Sequence, residues 1–169
     1  MHERRVSFGY RIGQLHRLAA QHIRRNLAPL GIEQGQVPFL AELFHEEGQT
    51  QEMLAARLHI DKGVTARTLA RLEEAGLVLR RQNPANRRQK LVYLAESMRS
   101  RREEFFAPLH RLTEELAQGF SEEERAATLA LLDRMIGNLC CQRIVDDEAV
   151  RGHAQCAVPP CRSVPDSGE

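Results

Sequence analysis

The chain has 169 residues, 42% of them hydrophobic and 28% charged, with few aromatics and no tryptophan, so a single soluble helical domain with one ordinary core is expected. No run approaches the roughly 20 continuous apolar residues of a membrane span, and no apolar stretch follows the charged start Met1–Arg5, so neither a membrane nor a secreted protein is expected and the cytoplasm is the expected compartment. The net charge of +1 argues against a polyanion partner, but residues 57–90 carry nine basic side chains against three acidic ones, a local +6 that leaves −5 on the rest.

The first helix is expected over Phe8–Leu27, where Phe8, Ile12, Leu15, Ala19 and Ile23 recur at spacings of four and three. Pro29-Leu30-Gly31 ends it, since glycine tolerates the left-handed backbone past a helix terminus. A second helix spans Val37–Glu46, with Pro38 in its first turn and Gly48 beyond its end. Thr50 is a suitable cap for Gln51–Leu58, whose Leu54, Ala55 and Leu58 face inward. After the short turn His59-Ile60-Asp61, Asp61 caps a helix over Lys62–Ala75 and Gly76 ends it; so tight a junction reads as a helix-turn-helix.

The period then changes. Leu77-Val78-Leu79 and Lys90-Leu91-Val92-Tyr93-Leu94 are strand-like runs, and Asn83-Pro84-Ala85-Asn86 between them is turn chemistry. Together they predict a β-hairpin with a basic tip, a wing. Met98, Phe105, Leu109, Leu112 and Leu116 then form a near-heptad seam, with Pro108 expected to kink it. Ser121-Glu122-Glu123-Glu124 has the form of a capping box and opens a last helix carrying Leu129, Leu132, Ile136 and Leu139. The pattern ends at Gln142. The expected organisation is one winged-helix and dimerisation domain over 1–142, followed by a disordered tail over 143–169. The fold class is mainly α with a small β-hairpin.

This layout fits double-stranded DNA. A major groove about 12 Å wide accepts one helix, which a helix-turn-helix supplies. With Ile60, Thr65, Leu69 and Leu72 facing the core, Lys62, Gly63, Val64, Arg67, Thr68 and Arg71 are left outward. Arg67 and Thr68 are the candidates for base edges, Lys62 and Arg71 for phosphates, and Gly63 for close approach to a strand. Arg80, Arg81, Arg87, Arg88 and Lys90 give the wing five cations and no acid, suited to a minor groove where negative potential concentrates. The competing reading, ordinary solvated arginines, does not account for such a lopsided hairpin.

From about Leu30 to Leu94 the chain resembles the MarR family of bacterial transcriptional regulators. The resemblance rests on Leu30-Gly31-Ile32, Gln34-Gly35-Gln36, Asp61-Lys62-Gly63-Val64-Thr65-Ala66-Arg67, Arg71-Leu72-Glu73-Glu74-Ala75-Gly76-Leu77-Val78 and Asn83-Pro84-Ala85-Asn86-Arg87-Arg88. It implies a homodimer with interleaved terminal helices, an inverted-repeat operator, and a wing arginine in the minor groove, a role that falls to Arg88. Asn86 stands where the family usually has aspartate, and Leu94-Ala95-Glu96-Ser97-Met98 lacks the usual threonine and glycine. The resemblance also implies release by small aromatic or phenolic anions; His16, Phe39, Phe44, His45 and Phe105 are the candidates for that cleft, with ordinary core residues as the competing reading. A dimer follows independently from apolar stripes on the first and last helices that a small winged lobe cannot cover.

Other classes fare less well. There is no phosphate-binding loop, dinucleotide fingerprint or nucleophile motif, so neither an enzyme nor a cofactor is expected. The seven histidines are scattered without metal-ligand spacing. Cys140, Cys141, Cys156 and Cys161 leave open a redox-responsive regulator, and a winged helix used only for protein contacts is the third alternative.

Overall fold

Residues 6–151 are described by the computed structural model, with side chains through Cys140. Helix α1 (Phe8–Leu27) opens at Ser7, whose hydroxyl accepts a hydrogen bond from the Tyr10 amide at 3.2 Å. Two 3-10 turns, Ala28–Leu30 and Gln34–Gln36, lead to α2 (Val37–His45); Gly31 between them takes φ 70°, a conformation glycine enters without strain. Strand β1 (Gln49–Thr50) precedes α3 (Gln51–Arg57) and α4 (Lys62–Glu74). Both expected caps are in place. Thr50 Oγ1 accepts from the Met53 amide at 3.2 Å, and Asp61 Oδ1 accepts from the Gly63 and Val64 amides at 2.8 and 3.1 Å. The turn between α3 and α4 passes through His59 at φ 52°, a left-handed conformation that histidine enters more readily than most residues.

Strands β2 (Val78–Gln82) and β3 (Lys90–Leu94) form the expected hairpin, in register from Val78 opposite Leu94 to Gln82 opposite Lys90. The other edge of β3 pairs with β1, Gln49 opposite Val92, which makes a sheet of order β1-β3-β2. The third strand was not expected. Two residues carry no alternation to read, and their partner lies more than forty positions away in sequence.

Helix α5 (Glu96–Arg99) is separate from α6 (Arg102–Leu116), so the expected continuous seam is broken. The Ser100 amide bonds back to Glu96 and the Arg101 amide to Met98, closing the short helix before α6 begins. Met98 and Phe105 are both buried, but on different helices. Pro108 lies inside α6 and is itself buried. Leu40 and Leu43 of α2, Leu54 of α3, Leu69 and Leu72 of α4, Val78 of β2 and Phe105 of α6 have no exposed surface and belong to one core. Each such side chain stabilises the fold by about 1.5–3 kcal/mol relative to an exposed one.

Two carboxylates tie the elements together. Arg57 hydrogen-bonds to Glu42 at 2.8 Å and holds its carboxyl below the usual range, against the opposing effect of burial. Glu47 accepts the Leu94 amide at 2.8 Å and Arg99 Nη2 at 2.9 Å, fastening the end of β3 to the segment before β1. Glu47→Ala is expected to cost about 1–2 kcal/mol, since it leaves that amide unpaired while Arg99 remains partly solvated. Urea titration checks it; a midpoint unchanged from the native chain would make the contact energetically idle.

The chain divides between Leu116 and Ala117 into two compact units. The second unit contains α7 (Glu122–Arg151). Its capping box forms reciprocally: Ser121 Oγ accepts from the Glu124 amide at 3.2 Å, and Glu124 accepts from the Ser121 amide at 2.9 Å. Leu129, Leu132, Ile136 and Leu139 are exposed, because a single helix has no second layer to bury its apolar residues against. The helix continues past Gln142, into the stretch expected to be irregular; residues 152–169 of that stretch lie outside the described residues. No helix among the described residues is long and apolar enough to cross a membrane.

Candidate nucleic-acid interface

Helix α4 has the orientation its periodicity implies. Thr65, Leu69 and Leu72 are buried and Ile60 packs against the core. Lys62, Val64, Arg67 and Arg71 are exposed, with Gly63 and Thr68 half-buried beside them. Arg71 lies 3.5 Å from Glu33, and about two thirds of each side chain remains in solvent, so the pair is loose.

The wing tip is built from its asparagines. Asn83 Oδ1 accepts from the Ala85 amide at 3.0 Å, and Asn86 Oδ1 accepts from the Arg88 amide at 3.1 Å. Asn86 therefore still bridges the turn in the place where the resembling family has aspartate. Gln82 Nε2 donates to the Arg87 carbonyl at 3.1 Å, and the Arg87 and Arg88 side chains are exposed.

Arg88 and Lys90 line a cavity of about 270 Å3 together with Arg80 and Val92 of the sheet, Gln51 and Glu52 of α3 and Leu69 of α4. The wing's cations therefore open beside the helix-turn-helix. Arg81 does not join them. Successive residues of a strand alternate between faces, so Arg80 points inward with Val78 while Arg81 lies on the outer face with Leu79. There its guanidinium sits 5.2 Å from the centre of the Tyr93 ring. Arg80 is only 19% exposed, and its Nε lies 3.3 Å from Oε2 of Glu73 on α4. An acid-free wing sequence thus has one of its cations balanced from the neighbouring helix. Reading period two through Val78 and Arg80 separates the two arginines, whereas a sum of charges merges them.

The candidate effector residues divide. Phe39 and Phe105 have no exposed surface and belong to the core. The Phe44 ring lies tilted against Phe105 with centroids 5.3 Å apart, and Phe106 joins both rings. Arg102 lies over Phe44 and Phe106 at 5.3 and 4.9 Å and donates to the Phe44 carbonyl at 3.3 Å. Phe44 and His45 line an open cavity of about 240 Å3 with Arg99 and Arg102. His16 is exposed on α1 and does not line this cavity. Cys140 is half-buried and in no disulfide among the described residues, while Cys156, Cys161 and the Cys141 side chain lie outside them. Among the described residues no group of three or more histidine, cysteine or acidic side chains is placed to hold a metal.

The model of the MarR family matches residues 32–90, from the segment between the two 3-10 turns to the first residue of β3. YdgJ, an uncharacterised helix-turn-helix transcriptional regulator of Bacillus subtilis (strain 168), is 33% identical over 109 residues, 64% of this chain and 66% of YdgJ. The crystal structure of a MarR transcriptional regulator from Methanosarcina mazei Go1 superimposes with a TM-score of 0.72 at 33% identity, covering 77% of this chain and 94% of that one. A cysteine-to-serine mutant of MarR from E. coli, complexed with operator DNA, gives a TM-score of 0.71 at 25% identity and covers 80% and 97%.

Proposed function

Because this chain belongs to the MarR family, and so is a DNA-binding transcriptional regulator rather than an enzyme, we propose that it is a cytoplasmic homodimer that represses from an inverted-repeat operator and is released by a small effector. The observation that carries this reading is that Arg88 and Lys90 share the lining of one cavity with residues of α3 and α4, with α4 turning its own cations outward. A groove-filling helix and a wing must approach the same duplex, and this placement supports both.

In this reading Arg67 and Thr68 meet base edges, Val64 offers an apolar contact to a thymine methyl, and Gly63 lets a strand come close. Lys62 and Arg71 hold phosphates beside α4; Arg87 and Lys90 hold them beside the wing. Arg88 enters the minor groove, with its backbone fixed by Asn86. The stacking of Arg81 on Tyr93 at the outer face does not support a part for it in the same contact. The exposed apolar residues of α1, Phe8, Ile12 and Leu15, support the dimer, as do Leu129, Ile136 and Leu139 of α7. The Phe44 ring with Arg102 over it, beside His45 in an open cavity, supports an aromatic or phenolic anion as the effector.

Selection of binding sites from random DNA tests the reading. The recovered sequence is expected to be a palindrome with half-sites one helical turn, about 34 Å, apart. An asymmetric or featureless motif would remove the dimeric operator. On the selected site, Arg88→Ala is expected to weaken binding about tenfold or more and to reduce the salt slope by about 1 per subunit, with dimer and melting temperature unchanged. An unchanged titration would take the wing out of the contact.

A further inference from the structure

Glu73 is an acid on the helix that the proposed reading lays in the major groove, where its charge opposes the phosphates. Its Oε2 lies 3.3 Å from Nε of Arg80 on β2. The strand's alternation turns Arg80 inward, and its Nε and Nη2 are closed to solvent without an aligned hydrogen bond. Water does not reach these donors, so Glu73 is the group that balances them; without it the guanidinium is driven out from under the sheet toward solvent. Arg80 also lines the cavity that Arg88 and Lys90 line from the wing and Leu69 lines from α4. Arg80 is therefore a polar contact between the wing and the recognition helix, beside the apolar packing of Val78 in the core that holds Leu69 and Leu72.

We infer that Glu73 and Arg80 are a positioning pair: their contact fixes the wing against α4 and thereby sets where Arg88 meets the DNA. This rests on the reading of α4 and Arg88 as DNA contacts. The pair is worth testing because two effects of Glu73 have opposite signs. Removing a negative charge from a polyanion-binding face strengthens binding through simple electrostatics. Releasing the wing weakens binding, and only on sequences that use Arg88.

The experiment is a titration of the selected operator and of unrelated duplex with the full-length dimer and its variants. Glu73→Gln is expected to lose about tenfold on the operator, with unrelated DNA bound as well as before or better. In the Glu73→Gln background the penalty of Arg88→Ala is expected to shrink at least threefold, a coupling that mere loss of stability does not produce. The charge-reversed pair, Glu73→Arg with Arg80→Glu, keeps the net charge and is expected to recover most of the operator affinity. Arg80→Met, which removes the buried cation without needing its partner, keeps the test open if Glu73→Gln folds poorly, and it is expected to lose the same dependence on Arg88. Tighter operator binding by Glu73→Gln, or an Arg88→Ala penalty undiminished in that background, would overturn the inference and leave Glu73 a solvated acid. If Arg88→Ala leaves operator binding unchanged in the otherwise native chain, the wing assignment itself fails and takes the pair's role with it. That outcome is recognised without any Glu73 variant.

Discussion

Phe39→Ala is expected to lower the stability of the fold by about 3–5 kcal/mol, the range for truncating a fully buried phenylalanine. The ring has no exposed surface and belongs to the same core as Leu40, Leu43, Leu69 and Phe105. Few atoms are positioned to refill the space it leaves, because core side chains are already close-packed. Against a total of about 5–15 kcal/mol for an ordinary domain, the loss leaves the chain marginal at growth temperature. A role in holding an effector makes a different forecast, normal unfolding with altered release from DNA. Urea unfolding followed by circular dichroism separates the two. A loss under about 1 kcal/mol would return Phe39 to the cleft as a ligand-binding residue. Phe44 is the useful contrast: its half-buried ring faces the cavity beside Arg102, so Phe44→Ala is expected to cost less stability and to change effector response more.

What the sequence made legible is what local chemistry decides. Thr50, Asp61 and Ser121 are caps because a side-chain oxygen reaches an amide two or three residues on, and nothing distant alters that reach. Asn83 and Asn86 shape the wing tip for the same reason. The outward face of α4 was legible from Thr65, Leu69 and Leu72, since a half-buried helix shows its period. Long-range pairing was not legible. Strand β1 exists only because β3 offers it an edge, and Arg80 is neutralised by Glu73 only because β2 packs on α4. Helix α2 hid the place of Phe39 differently. Val37, Phe39, Leu40 and Leu43 share one buried face with the half-buried Phe44 close to its edge, so periodicity does not separate a core position from a cleft wall. The last helix shows a further gap. An apolar stripe ending near Gln142 marks where a packing face stops, and the backbone helix does not need one to continue to Arg151.

The dimer is tested most sharply on α1. Its apolar stripe changes character along its length: Ile23 and Leu27 pack into the core, whereas Ile12 and Leu15 are 47% and 45% exposed. Ile12→Glu with Leu15→Glu therefore removes little that the single chain uses for its own stability. In a two-fold interface each substitution appears twice, so the pair of changes sets four carboxylates against one another on a surface that must lose water. The variant is expected to sediment as a monomer with its helix content largely kept. Its affinity for the full operator is expected to fall by about 10²–10⁴, because capture of the second half-site is no longer intramolecular. Affinity for a duplex carrying one half-site should stay near that of the native chain, since α4 and the wing lie on other elements. A variant that still sediments as a dimer would assign this stripe to something other than self-association. A monomer that loses half-site binding too would mean that the lobe depends on its partner to hold its shape.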